Sequence, residues 1–104
     1  MPTAYVTAPR DVAADLARLL VEERLAACVN VVDCASTYRW ADEVHEDDEA
    51  VLFAKTTAAA YDRLEARIVE EHPYDVPAIE RFDEADELAA FAEWRDGAVG
   101  EGGS

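Results

Sequence analysis

Apolar positions along the chain follow two periods, one helical and one extended. Helical spacing predicts a first helix that Pro9 opens and that ends near Leu25. It also predicts a second helix over about residues 57–71, capped by Thr56 or Thr57. Shorter β-branched and aromatic runs predict strands at 5–8, 28–40, 50–55 and 76–82. Asp83 is expected to cap a third helix that carries Leu88, Phe91 and Trp94.

This order of elements predicts an α+β fold, the ferredoxin-like βαββαβ sandwich with an additional C-terminal helix. Its four-stranded antiparallel sheet would carry helices on one face. The second and third predicted strands pair as a hairpin, and the acidic stretch at 42–48 is interpreted as the turn between them. We expect one domain over residues 1–96 and a flexible tail over 97–104.

In the two hairpin strands, apolar and aromatic side chains continue beyond the length that a small sheet would bury. Helices on one face cannot cover them, and a second copy of the same chain is the simplest cover. The sequence therefore predicts self-association.

Charge narrows the classes of partner. The 104 residues include 24 acidic and 9 basic side chains, a formal net charge of −15, and a single lysine, Lys55. This balance argues against nucleic acid and against an anionic membrane surface as partners. The sequence shows neither a leader pattern nor an apolar run of the ~20 residues that a membrane span needs, so a cytoplasmic location is expected.

The cysteine pattern and the catalytic motifs point away from a closed zinc site and from common enzymes. Cys28 and Cys34 are too far apart on one strand for a disulfide and are expected to be free thiols. No CxxC, GxSxG, HExxH or Gly-rich phosphate loop occurs. We therefore expect no catalytic activity of a recognised type.

Several phrases stand in a fixed order: Thr7-Ala8-Pro9, the segment 23–30 (ERLAACVN), the segment 36–40 (STYRW), Lys55-Thr56-Thr57, the segment 72–77 (HPYDVP), and Trp94. In this order and spacing the chain resembles the CutA family of divalent-cation tolerance proteins over roughly residues 4–95. The resemblance implies a ferredoxin-like subunit in a homotrimer joined through the long hairpin strands. It also implies intersubunit clefts like those of the PII signalling proteins, and binding of divalent cations, copper among them.

The resemblance makes His72, in the HPY phrase, the main candidate metal ligand. Glu71 and Cys28 complete the predicted metal set, since imidazole and thiolate suit copper. Some family members carry Cys where this chain has Val6, and His where it has Glu71, which makes the set harder and more tolerant of other divalent ions. The structural alternatives are a helix-terminal imidazole for His72 and an inert core thiol for Cys28.

Lys55 lies inside an apolar strand, and a buried ammonium group needs a partner. One interpretation is an ion pair between subunits. The other is an anion-recognising group in a cleft with Tyr74, Trp40 and Arg39.

The sequence thus predicts a cytoplasmic, non-catalytic homotrimer that binds a divalent cation, possibly copper, in metal-ion tolerance or response. The alternative is a PII-like trimeric signalling protein that binds a small anionic metabolite in the intersubunit cleft through Lys55. A third is an enzyme of unrecognised type.

The scarcity of lysine beside abundant carboxylates is typical of a protein from a high-salt cytoplasm. At ~1 M salt the Debye length falls to ~3 Å, and repulsion between surface carboxylates is largely screened. We therefore expect the thermal unfolding midpoint to be higher in about 2 M KCl than in about 0.1 M KCl. Equal midpoints in a calorimetric scan would contradict a halophilic origin.

Overall fold

The computed structural model describes residues 2–100. Within that range the elements are β1 (Pro2–Pro9), α1 (Arg10–Glu22), β2 (Cys28–Trp40), β3 (Glu43–Lys55), α2 (Tyr61–Glu71), β4 (Ile79–Asp83) and α3 (Ala89–Ala98). The predicted βαββαβ order with a third helix is confirmed. None of the helices in this part of the chain has the length and apolar character that a bilayer crossing requires.

The four strands form one antiparallel sheet in the order β2-β3-β1-β4. This order and the two helices that follow β1 and β3 define the ferredoxin-like arrangement. The buried stripes of α1 and α2 lie against alternate residues of the two central strands. The resulting core contains Ala4, Val6, Ala8, Ala13, Leu16, Leu20, Leu52, Ala54, Tyr61, Leu64 and Ile68.

Some predicted boundaries are wrong by a few residues. Helix α1 ends at Glu22 because Arg24 adopts a positive φ of 59° and buried Leu25 turns back to donate to the carbonyl of Leu20. Helix α2 begins only at Tyr61, and the side chain of Thr57 caps the preceding turn by accepting from the backbone N–H of Ala60 at 3.2 Å. Strand β4 begins at Ile79 rather than at residue 76.

The hairpin of β2 and β3 is longer than predicted. The strands pair without interruption from Cys28 opposite Lys55 to Trp40 opposite Glu43. Ala41 (φ 52°) and Asp42 (φ 63°) form the two-residue turn whose twist suits a hairpin. The acidic stretch at 42–48 is therefore mostly strand and not a turn, because exposed strand positions tolerate carboxylates when the ladder supplies the hydrogen bonds.

The pairing of β1 stops at Pro9 opposite Glu49, so the hairpin continues as a two-stranded arm beyond the sheet. The arm contributes to a long dimension of 46 Å. Strand β2 is a sheet edge over its thirteen residues, and an edge of this length presents unpaired backbone groups along one side.

One face of the sheet, called here the open face, has no helix over it. Core residues of β1 and β3 alternate with residues that project to this face, among them Tyr5, whose ring lies 5.7 Å from Phe53 and 5.5 Å from Phe82 between ring centroids. Val32 and Trp40 share this face by strand alternation and are 51% and 55% exposed. The single chain therefore leaves an apolar surface in solvent.

The C-terminal helix ends differently from the prediction. Asp83 closes β4 and does not cap a helix, α3 starts at Ala89, and it continues through Gly97 and Ala98. Val99 is buried, and the N–H of Gly100 donates to the carbonyl of Arg24 at 2.9 Å. Helix α3 thus extends past Gly97, where the tail was predicted to start, and residues 101–104 of the predicted tail lie outside the described residues.

Candidate functional site

A cavity of about 500 Å³ lies where the hairpin arm leaves the sheet, on the open face. We call it the hairpin cavity. Its walls come from β1, the two hairpin strands and the loop between α2 and β4, which meet at this corner of the sheet. The lining residues are Thr7, Ser36, Thr37, Tyr38, Trp40, Glu49, Tyr74, Val76 and Ala78.

Glu49 provides a buried carboxylate in this wall. It is 4% exposed, and its Oε2 accepts a hydrogen bond from the Tyr74 hydroxyl at 2.9 Å. The nearby Arg10 donates instead to the backbone carbonyl of Glu49, at 3.1 Å, and its ion pairs are with Asp33 and Asp48. Within residues 2–100 the Glu49 carboxylate thus has no cationic partner, and a buried carboxylate without one attracts a cation.

Tyr74 keeps its proton under all physiological conditions. Burial raises the pKa of its phenol to about 12, and the hydrogen bond to the Glu49 carboxylate adds to the increase. The hydroxyl therefore acts as a fixed donor to Glu49.

The arm supplies two more aromatic side chains. The Tyr38 hydroxyl donates to the Asp47 carboxylate, and this bond raises the pKa of Tyr38. The Tyr38 ring stacks on His45 with centroids 5.4 Å apart. Trp40 lies two positions further along β2, on the same face, and its ring is more than half exposed. The cavity lining therefore combines aromatic rings with the Glu49 carboxylate.

His72 is positioned as a structural link between β1 and the loop. Its Nδ1 accepts from the backbone N–H of Tyr74 at 3.1 Å, so the ring proton is on Nε2, which donates to the carbonyl of Thr7 at 2.8 Å. The side chain is buried, and both ring nitrogens are used. Copper would have to displace one of these bonds to reach a lone pair.

The predicted metal set is not assembled in the structure. Glu71 is paired with Arg67 at 3.4 Å. Cys28 lies opposite Lys55, which lies opposite Thr3, so Cys28 is about 13 Å along the sheet from Thr7, the residue that His72 contacts. By alternation Cys28 projects to the open face and not toward the helices, and it is partly buried there. Residues 2–100 contain no cluster of three or more His, Cys, Asp or Glu arranged to hold a metal ion.

Only two of the four residues that were predicted to share a ligand cleft lie together. Trp40 and Tyr74 both line the hairpin cavity. Arg39 donates to the Asp42 carbonyl at 3.5 Å and, by alternation, projects to the opposite face from Trp40. Lys55 lies six residues along β3 from Glu49, about 20 Å away, so it cannot reach the cavity of its own chain.

Sequence reasoning missed Glu49 and Tyr38. Glu49 lies between the acidic stretch at 42–48 and the predicted strand at 50–55 and was assigned no role, although its position two residues before Val51 and four before Phe53 already places it on their strand face. Tyr38 was visible as part of the YRW phrase but had no predicted partner. An uninterrupted strand register would have identified both.

Solved structures of similar proteins identify the fold class of this chain. A solved structure described as the PII-like protein CutA from a Nostoc species superposes with a TM-score of 0.93 at 32% identity, covering 96% of this chain and 98% of that one. A structure of a CutA1 variant from Pyrococcus horikoshii superposes with a TM-score of 0.93 at 35% identity, covering 97% of this chain and 100% of that one. The fold is thus the PII-like form of the ferredoxin-like sandwich.

The sequence comparisons give the family. The model of the family described as "CutA1 divalent ion tolerance protein" matches residues 3–98. The divalent-cation tolerance protein CutA of Thermus thermophilus is 45% identical over 91 residues, which are 86% of this chain and 88% of that protein. The chain belongs to the CutA family of divalent-cation tolerance proteins.

The bonding of His72 predicts a structural and not a ligating role. His72→Ala leaves the Thr7 carbonyl and the Tyr74 N–H without their buried partner, and we expect a loss of about 2 kcal/mol or more in the free energy of unfolding. The matched control is His45→Ala on the arm, expected to cost about 0.5 kcal/mol or less. Urea unfolding at a single protein concentration measures the two stability losses. Cu²⁺ titration of the folded variants measures any change in metal affinity. Lost Cu²⁺ affinity at unchanged stability would restore His72 as a ligand.

Proposed function

We propose that the chain acts as a cytoplasmic homotrimer that binds divalent cations in metal-ion tolerance or response, without catalytic turnover. The name of the family, shared by the Thermus thermophilus relative, supports the link to divalent cations. The open face and the hairpin cavity support the two physical parts of the proposal, assembly and cation binding.

Assembly is supported by what a single chain leaves uncovered. The open face exposes Val32, Trp40 and Phe82, and the arm extends a two-stranded ribbon past the sheet. Another copy can bury these apolar groups and also pair with the free backbone edge of β2. Three copies that each place an arm across a neighbour's sheet form a closed ring, which leaves no arm without a partner.

Glu49 is the single observation that carries cation binding. Its carboxylate is buried in the hairpin cavity with a phenol donor and no basic side chain among the lining residues. A cation that enters the cavity supplies the missing charge. The overall charge of −15 attracts cations to every part of this surface and raises their local concentration.

The ligand chemistry favours an oxygen-preferring ion over copper at this position. Glu49 and the hydroxyls of Thr7 and Ser36 offer only oxygen atoms, which suit Mg²⁺ or Mn²⁺. The imidazole of His72 is already bonded on both nitrogens. We therefore propose a hard divalent cation held by Glu49, with water completing its coordination.

A trimeric sensor for a small anionic metabolite is the second candidate. The likeness to a PII-like structure favours it, and so does Lys55, which forms no ion pair within residues 2–100. For Lys55 to share a cleft with Trp40 and Tyr74, it must come from a neighbouring copy. An anion that raises the melting temperature of the wild type but not of Lys55→Ala would favour this candidate.

The cation site is tested by two variants that each replace one carboxylate of β3 with a neutral amide. Glu49→Gln removes the charge while its amide oxygen still accepts from Tyr74, and Glu46→Gln removes an exposed charge from the opposite face of β3. In isothermal titration with Mn²⁺ we expect Glu49→Gln to weaken binding by about tenfold or more and Glu46→Gln by about twofold or less.

Equal Mn²⁺ affinity in the wild type and Glu49→Gln would contradict the proposed site. Equal losses in both variants would point to diffuse attraction by the acidic surface, which also contradicts it.

A further inference from the structure

Arg10 is the first residue of α1 and directly follows the point where the pairing of β1 ends, at Pro9 opposite Glu49. From that point outward the arm consists of two strands alone. We propose that Arg10 is a positioning residue, which fixes the direction in which the arm leaves the sheet. The role of this side chain is to prepare the arm for assembly, so the inference rests on the homotrimer proposed above.

The guanidinium group of Arg10 bonds to both strands of the hairpin. Its Nε donates to the backbone carbonyl of Glu49 at 3.1 Å, and its Nη2 donates to the backbone carbonyl of Cys34 at 3.3 Å. Cys34 and Glu49 are partners in the strand register, so the two bonds join one residue pair. The donors of a guanidinium form a rigid, planar fork, which suits two acceptors at a set separation. Arg10 therefore ties α1 to both strands at the base of the arm.

The base of the arm is held from both faces of the sheet. Two carboxylates flank the guanidinium, Asp33 at 3.7 Å and Asp48 at 3.9 Å. Both belong, by alternation, to the face that carries the helices, opposite the Glu49 carboxylate. Arg10 thus acts from the helix side, while the Tyr74 hydroxyl bonds to Glu49 on the open face. A rotation of the arm toward either face would break one of these contacts.

A small change of angle at the base has a large effect because the arm is long. Residues 35–40 and 43–48 continue past the pair that Arg10 contacts. At ~3.3 Å per residue each strand extends about 20 Å, so a turn of about 10° at the base moves the tip by about 3.5 Å. A two-stranded ribbon is marginally stable by itself, and its direction has to be set where it joins the sheet.

The two carbonyl bonds, and not the ion pairs, carry this positioning. Ion pairs between exposed groups contribute little, and the side chains of Asp33 and Asp48 are 71% and 77% exposed. Their carboxylates can change rotamer, whereas the backbone carbonyls are fixed by the strand pairing. Neutralising both carboxylates should therefore leave the arm in place, and removing the guanidinium should not.

Amide hydrogen exchange, followed by mass spectrometry, tests the effect on the arm. In Arg10→Ala we expect exchange over 34–40 and 43–49 to be about fivefold or more faster than in the wild type, and exchange in the core segment 51–54 to change by about twofold or less. The matched control is Arg18→Ala, since Arg18 pairs with Glu22 on its own helix. In this control we expect exchange in the arm to change by about twofold or less.

Subunit exchange tests the consequence for assembly. Isotopically heavy and light protein are mixed, and native mass spectrometry follows the appearance of mixed trimers. We expect Arg10→Ala to exchange subunits about fivefold or more faster than the wild type, because an arm without a fixed direction must be ordered again at each contact. The double variant Asp33→Asn with Asp48→Asn keeps the two carbonyl bonds, and we expect its rate to lie within about twofold of the wild type.

Unchanged hydrogen exchange in the arm of Arg10→Ala would overturn the proposal. Equal acceleration in the arm and the core would do so as well, since it would show a general loss of stability. Equal effects of Arg10→Ala and the double variant would also overturn it, because charge alone would then hold the arm. A wild-type protein that stays a single chain contradicts the proposed function instead, and hydrogen exchange in its arm still tests Arg10.

Arg10→Lys repeats the test with a milder change, should Arg10→Ala not fold. Lysine keeps the charge but lacks the planar fork of donors. We expect exchange in the arm of Arg10→Lys to be about threefold or more faster than in the wild type. Exchange equal to that of the wild type would overturn the proposal.

Discussion

The alternation of side chains along β3, with helices over only one of its two sides, is the constraint on which the rest of this molecule depends. Residues 50, 52 and 54 are buried beneath α1 and α2, so residues 49, 51, 53 and 55 must project to the other face. That face carries the aromatic rings, the buried carboxylate and the lysine. Cation binding and self-association therefore both depend on how this face is covered.

The open face carries opposite charges at its two ends. Glu49 lies at the end where the arm begins, and Lys55 lies about 20 Å away at the other end. One chain cannot bring these charges together, so the hairpin cavity is acidic by itself. The family name concerns divalent cations, and the proposed cation site lies at the acidic end of the open face.

The fold was predictable because strong periodic signals agreed with one another. Leu16 and Leu20 on α1, and Leu64 and Ile68 on α2, are buried as their spacing indicates. The hairpin was less predictable, since carboxylates at 46–48 are typical of turns and only the partner strand makes them strand residues. Its turn is Ala41-Asp42, where aspartate tolerates a positive φ but alanine gives no signal for one.

The site was predictable only as a list of residue types. Trp40 and Tyr74 were identified, but Arg39 was grouped with them although consecutive strand residues project to opposite faces. Sequence alone could not show which of the two faces the cavity occupies. His72 shows the same limit, because an imidazole after a helix suits a ligand and a structural link equally well. Its two backbone partners, Thr7 and Tyr74, are tertiary contacts that no local pattern encodes.

The mass of the protein in solution shows whether other copies of the chain cover the open face. Light scattering coupled to size exclusion, in about 2 M KCl, should give roughly 34 kDa, three times the 11.4 kDa of one chain. A mass near 11.4 kDa that persists as the protein is concentrated would contradict it, since the apolar face would then stand bare in solvent.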